Sequence, residues 1–225
     1  MTRPSRHILI GGAACGLLVA ILAGVLGYSS IAGRDVSTLA GSKEAAERLA
    51  AVGKASALRG DDGTEALARL ARDADAAVAT QAIWALGGRD GDRSQAALRE
   101  LLADRGLRPG IRAEAAAALG RGDHTDPEVL TRALADEGDE TVRAGAAKGL
   151  VRMAERQKDI AGARRMIPQL AASLEDPSPR VRAMAIAAIR RLVVRQFPFD
   201  PKAPVGSQRQ QVEALRQYLR KCGAM

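Results

Sequence analysis

Residues 176–189 read DPSPRVRAMAIAAI, and this stretch decides the fold. Counting from Val181, the apolar or small residues Val181, Ala185, Ala188 and Ile189 stand at offsets 0, 4, 7 and 8. Those offsets trace one stripe of an α-helix, because 3.6 residues make a turn. Ile186 at +5 widens the stripe, as expected of a helix covered on two sides. The preceding Asp-Pro-Ser-Pro supplies turn residues and an acceptor for the first free backbone N–H groups.

Working back towards the amino terminus, the same offsets recur three more times, at Val142, Ile111 and Val78, with spacings of 39, 31 and 33 residues. Self-similarity at this period marks a stack of helical hairpins. Ahead of each such helix lies a second segment with a leucine pair: Leu67 and Leu70, Leu98 and Leu102, Leu130 and Leu134, Leu170 and Leu174. These place first helices over Thr64–Arg72, Ser94–Ala103, Asp126–Ala135 and Met166–Glu175. Asp126-Pro127 is a start signal, and Gly87 and Gly120 fall where a helix should stop. Lys43 to Ser56 reads as a lone second helix, with Val52-Gly53 set against Leu86-Gly87 and Leu119-Gly120. It would cap the otherwise bare amino-terminal face.

The pattern Asp-x-x-x-Val-Arg-x-x-Ala-x-x-x-Leu-Gly resembles the short bacterial HEAT repeat, the type also found in phycobilisome-lyase-like proteins. Residues 176–185 match best, with Asp139 to Ala146 and Ile111 to Ala115 close behind; the first repeat departs, carrying Ala79 where the others have Arg112, Arg143 and Arg182. The resemblance implies an all-α fold, a right-handed α-solenoid of about four hairpins plus a half-repeat cap over residues 43–195. It also implies that the recurrent Asp and Arg stack as a ladder, with Asp139–Arg143 and Asp176–Arg182 as pairs. The alternative use of Arg112, Arg143 and Arg182 is direct contact with an anionic partner. Trp84 at +6, where other repeats carry Ala117, Lys148 and Ala187, is either an exposed binding anchor or packing between helices.

Composition agrees with helices packed through small residues. Aromatic residues make up 2% of the chain, too few for a conventional core, and hairpin signals are missing. Cys15 and Cys222 sit near opposite ends and the only histidines are His7 and His124, so no zinc site, haem attachment or disulfide framework is expected. No cofactor is expected either. His124 has no nucleophile beside it, no phosphate-cradling Gly-x-x-x-x-Gly-Lys motif is present, and no residue matches a pigment-lyase site, so the chain reads as a binding protein and not an enzyme.

Residues 8–27 (ILIGGAACGLLVAILAGVLG) carry no charge and follow Arg3 and Arg6. A helix of that length crosses about 30 Å of hydrocarbon, and the flanking arginines hold residues 1–7 in the cytoplasm. The expectation is a single-pass signal anchor in the inner membrane, with the remaining chain outside the cytoplasm. Cleavage near Ala32, giving a secreted or periplasmic protein, is the alternative. Residues 28–42 read as a polar linker.

Charge is concentrated at the far end. Residues 180–225 hold ten Lys and Arg against Asp200 and Glu213, which equals the whole net charge of +8. Residues 196–225 read as a Pro-containing spacer and a basic helix from about Ser207 to Lys221. Arg190, Arg191, Arg195, Arg220 and Lys221 either form a solvated cap or dock onto anionic lipid or polymer. Nucleic acid is the weakest partner on this pattern, since base-stacking aromatics are few. The leading expectation is a membrane-tethered scaffold holding a protein partner on its repeat surface.

Overall fold

The computed structural model describes residues 33–122, 125–156, 160–193 and 195–224. Among these are eleven α-helices and no strand. In chain order they are α1 (Val36–Ala40), α2 (Ala45–Ala57), α3 (Asp61–Leu70), α4 (Ala76–Gly87), α5 (Asp92–Ala103) and α6 (Pro109–Leu119). Then follow α7 (Pro127–Asp136), α8 (Glu140–Arg156), α9 (Ile160–Ala172, extended by a 3-10 turn Ser173–Glu175), α10 (Pro179–Val193) and α11 (Arg209–Lys221).

The four predicted hairpins are α3–α4, α5–α6, α7–α8 and α9–α10, stacked so that successive second helices α2, α4, α6, α8 and α10 pack in one row. First helices form the other row, and all four leucine pairs lie in the core between them. The start signal at Asp126 acts as read, accepting from Glu128 N–H at 3.1 Å, and Asp75 caps α4 in the same way, accepting from the backbone N–H of Ala77 and Val78 at 2.8 and 3.1 Å. Three first helices begin earlier than predicted, two of them behind a glycine. Gly60 and Gly91, with φ of 75° and 124°, turn the chain into Asp61 and Asp92, a backbone conformation that side chains resist. The fourth first helix starts at Ile160, six residues before the predicted Met166.

Small residues let the second helices approach backbone to backbone. A Cβ placed on Gly149 of α8 would stand 2.5 Å from the Ala116 carbonyl oxygen and 2.9 Å from Leu130 Cδ1. One on Gly145 would lie 2.6 Å from Ala113 Cα. This replaces aromatic bulk as the way the core is filled.

The amino-terminal cap differs from its reading in two ways. Within the expected linker, Asp35 caps α1 by accepting from the Thr38 N–H at 2.7 Å, and Leu39 is fully buried. The cap is therefore a shortened hairpin, α1–α2, rather than a lone second helix. Its register is also shifted by three residues. Arg48, not a residue near Ala45, makes the contacts that Arg143 makes in its repeat: each guanidinium bonds carbonyls five and six residues back. Glu47 thus stands where the other repeats carry Val or Ile, which hid the match, and Gly53 occupies the +6 position shared with Trp84.

At the carboxyl end, Pro201 and Ala203 carbonyls accept from Arg182, and Phe197 accepts from Arg190 at 2.6 Å, so the spacer is strapped to α10. Val212, Leu215 and Leu219 bury one face of α11, as their spacing predicts. No helix among the described residues is long and apolar enough to cross a membrane. The anchor expected at 8–27, Cys15, and His124 all lie outside the described residues.

Candidate functional site

Three surfaces carry the polar side chains singled out above: the edge formed by the turns inside each hairpin, the outer face of the second-helix row, and the basic carboxyl end.

Along the edge runs the expected ladder, but its rungs join neighbouring repeats instead of closing within one. Arg48 reaches forward to Asp73 through Nε and Nη2 at 2.7 and 3.0 Å. Arg143 grips Asp176 with the same fork at 2.8 and 3.1 Å. Arg112 donates through Nη2 to Glu137 and through Nε to the Leu102 carbonyl at 3.0 Å. Arg182, which has no following repeat, takes the spacer carbonyls instead. The predicted partners Asp139 and Asp176 serve their own turns, accepting from Thr141 N–H and Ser178 N–H at 2.7 and 2.8 Å.

Ala79 leaves a gap that two other arginines fill. Arg72 pairs with Asp104, while Arg108 donates back to the Ala74 carbonyl at 3.1 Å. The planar fork suits such paired acceptors, which is why arginine and not lysine recurs. The Arg48 fork beside Asp73 and the Arg112 fork beside Glu137 each hold the carboxyl below its ordinary range, with the hydrogen bond as the leading cause. Arg112 and Arg182 are buried and Arg143 is half-buried, so the forks of all three are spent on the chain itself.

The second-helix row offers a different surface. Trp84 is 41% exposed on α4, and its indole N–H donates to Glu114 Oε2 on α6 at 3.0 Å. Lys148 Nζ on α8 lies 3.8 Å from the other Glu114 oxygen. Trp84, Glu114 and Lys148 therefore form a line across three successive repeats. On the amino-terminal side, Gly53 fills the same position of the preceding repeat, and a Cβ there would meet nothing within 4 Å.

The basic end is largely self-paired. Arg195 lies over the Tyr218 and Phe197 rings at 4.5 and 5.3 Å, and these rings meet edge to face at 5.2 Å. Arg191 faces Glu155 at 3.3 Å, Arg216 faces Glu175 at 2.6 Å, and Arg220 faces Glu213 at 3.1 Å. Lys221 is exposed. Sequence reasoning missed Arg48, Arg72 and Arg108 as ladder members. A search for Arg-x-x-Ala-Val-x-x-Ala over residues 48–55, ignoring the residue before the arginine, would have found the first. Among the described residues, no group of three His, Cys, Asp or Glu side chains is placed to hold a metal.

Comparison with known families agrees with this geometry. A family described as HEAT repeats matches residues 63–151, and one described as a HEAT-like repeat matches residues 140–192. Together they span more than half of the chain. No curated protein matches it.

Proposed function

Residues 63–192 are HEAT repeats, and from that premise we propose that this HEAT-repeat protein is a non-catalytic scaffold that holds a protein partner on its second-helix face. The observation that carries this reading is Trp84. A tryptophan left two-fifths exposed is a costly use of the chain's one indole, and such side chains anchor interfaces when the surrounding face is flat. Gly53, at the corresponding position of the preceding repeat, presents no side chain, and Glu114 Oε2 fixes the ring by accepting its N–H.

Because Trp84 is the only tryptophan, the protein carries its own reporter. Partner capture from an envelope fraction, followed by titration of the purified partner, should shift tryptophan emission to the blue. Trp84→Ala should weaken binding by about tenfold or more, the usual penalty for losing an interface anchor. Thermal stability should move little, since the ring is half in water. Binding that ignores Trp84 would remove the face from consideration.

The scaffold is tethered at the outer side of the inner membrane through residues 8–27, on the strength of that uncharged run and the arginines ahead of it. An alkaline phosphatase reporter fused after Met225 should then be active; an inactive fusion would put the repeats in the cytoplasm. The basic carboxyl end is the second reading. Lys221 and Arg209 are exposed there and available to anionic lipid or polymer, whereas Arg195 and Arg190 are occupied internally.

A further inference from the structure

Open clefts recur between first helices at the ladder edge. One lies between α1 and α3, with a volume of about 290 Å³ and lined by Arg69 and Asp73. Another lies between α7 and α9, at about 380 Å³, where Arg143 meets Glu175 and Asp176. In both, cation and acid balance or acid prevails. The cleft between α5 and α7, at about 390 Å³, is different: Arg99, Arg105, Arg112 and Arg132 line it against Glu137 alone. The repeat architecture makes the clefts, so it cannot be what makes this one cationic.

Two local features open and charge it. The five-residue turn between α5 and α6, as long as that between α3 and α4 and longer than the three residues between α7 and α8, projects Arg105, which is 75% exposed and 3.9 Å from Glu137. The helices α5 and α7 also barely meet, unlike α3 with α5 or α7 with α9. Glu137 is already held by Arg112, and Arg132 is paired with Glu128 on its own helix at 2.7 Å. Arg99 and Arg105 therefore set the positive rim, over a floor that includes Leu102 and Val129.

We infer that the α5–α7 cleft is a docking site for an acidic peptide segment of a protein partner, one carrying carboxylates beside a small aliphatic side chain. Arginine forks match carboxylates two bonds at a time, which fits the rim. The apolar floor, with Leu102 buried at its back, accepts an aliphatic group that a flat lipid surface could not deliver. No aromatic ring lines the cleft to stack a nucleic-acid base. The site is separate from the Trp84 face and shares with it only the premise that the protein binds partners.

The test uses the full-length chain in detergent micelles and fluorescence anisotropy with a fluorescein-labelled peptide of repeating Glu-Glu-Val. A Gln-Gln-Val peptide is the neutral probe. The expected result is saturable binding of the Glu peptide only, weakened about tenfold or more by Arg99→Glu with Arg105→Glu, as for opposed charges at a specific contact. Trp84→Ala, Arg209→Glu and Lys221→Glu should change it by less than about twofold, since none borders the cleft. Both rim arginines are exposed, and far-UV circular dichroism checks the fold; Arg99→Gln with Arg105→Gln replaces the reversal if helicity falls. Equal binding of the two peptides, absence of saturation, or loss that follows Arg209 and Lys221 instead would overturn the site. Loss that follows Trp84 would assign the peptide to the second-helix face and overturn it as well.

Discussion

Gly149→Leu is expected to abolish cooperative folding of the central repeats, and Gly149→Ala to destabilise them measurably. Ordinary overpacking costs about 1–3 kcal/mol because side chains shift aside. Here the neighbour is backbone: the new Cβ would stand 2.5 Å from the Ala116 carbonyl oxygen, and α6 must move as a body. The cost of the leucine should therefore be about 3 kcal/mol or more. For alanine, the clash opposes a gain in helix propensity of up to about 1 kcal/mol, and the clash should win. Gly53→Ala is the internal control. It lies in α2 with nothing within 4 Å of the added carbon, so it should stabilise by about 0.5–1 kcal/mol. Urea denaturation followed by circular dichroism reads both, with midpoints moving in opposite directions. A stabilised Gly149→Ala would mean that α6 and α8 are further apart than described. Because stacked repeats couple mainly to their neighbours, the transition should also broaden as the middle of the stack loosens.

The same contrast explains what was legible in the chain. Offsets of 0, 4, 7 and 8 survive in four repeats because each second helix is buried on both sides, and burial imposes periodicity. The leucine pairs survive for the same reason. The ladder's members were visible but not its connections, since a sequence shows an Asp and an Arg in one turn and cannot show that the fork spans to the next repeat. Asp139 is nearer to Arg143 along the chain, yet Asp176 holds it. The cap was misread by three residues because Glu47 takes an apolar position at the unburied end, where burial no longer enforces the pattern. Helix α1 is five residues long, too short for any period to register. The α5–α7 cleft was unreadable for a different reason. Its residues come from three helices and two turns whose separation only the packing sets.

Arg112→Ala should be the most damaging substitution among the ladder arginines. Its fork and Glu137 are both buried, with side-chain exposures of 7% and 8%. Removing the arginine leaves a carboxylate out of water with only the distant Arg105, and breaking such a pair costs about 3–5 kcal/mol. Glu137→Gln with Arg112→Met should recover much of that loss, because it removes both charges and keeps the volume. The pair also sets a pH signature. Arg112 holds the Glu137 carboxyl below its ordinary range, so the folded chain binds that proton less readily than the unfolded one. Its contribution is complete above the ordinary glutamate value of about 4.3 and is lost as pH falls through the depressed folded value. Denaturation midpoints measured from neutral pH into acid should therefore fall steeply below about pH 5 in the natural chain. In Glu137→Gln the fall should be shallower, with a residual slope from Asp73, which Arg48 depresses in the same way. An unchanged acid limb would show that the Arg112–Glu137 rung contributes nothing to the coupling between the second and third repeats.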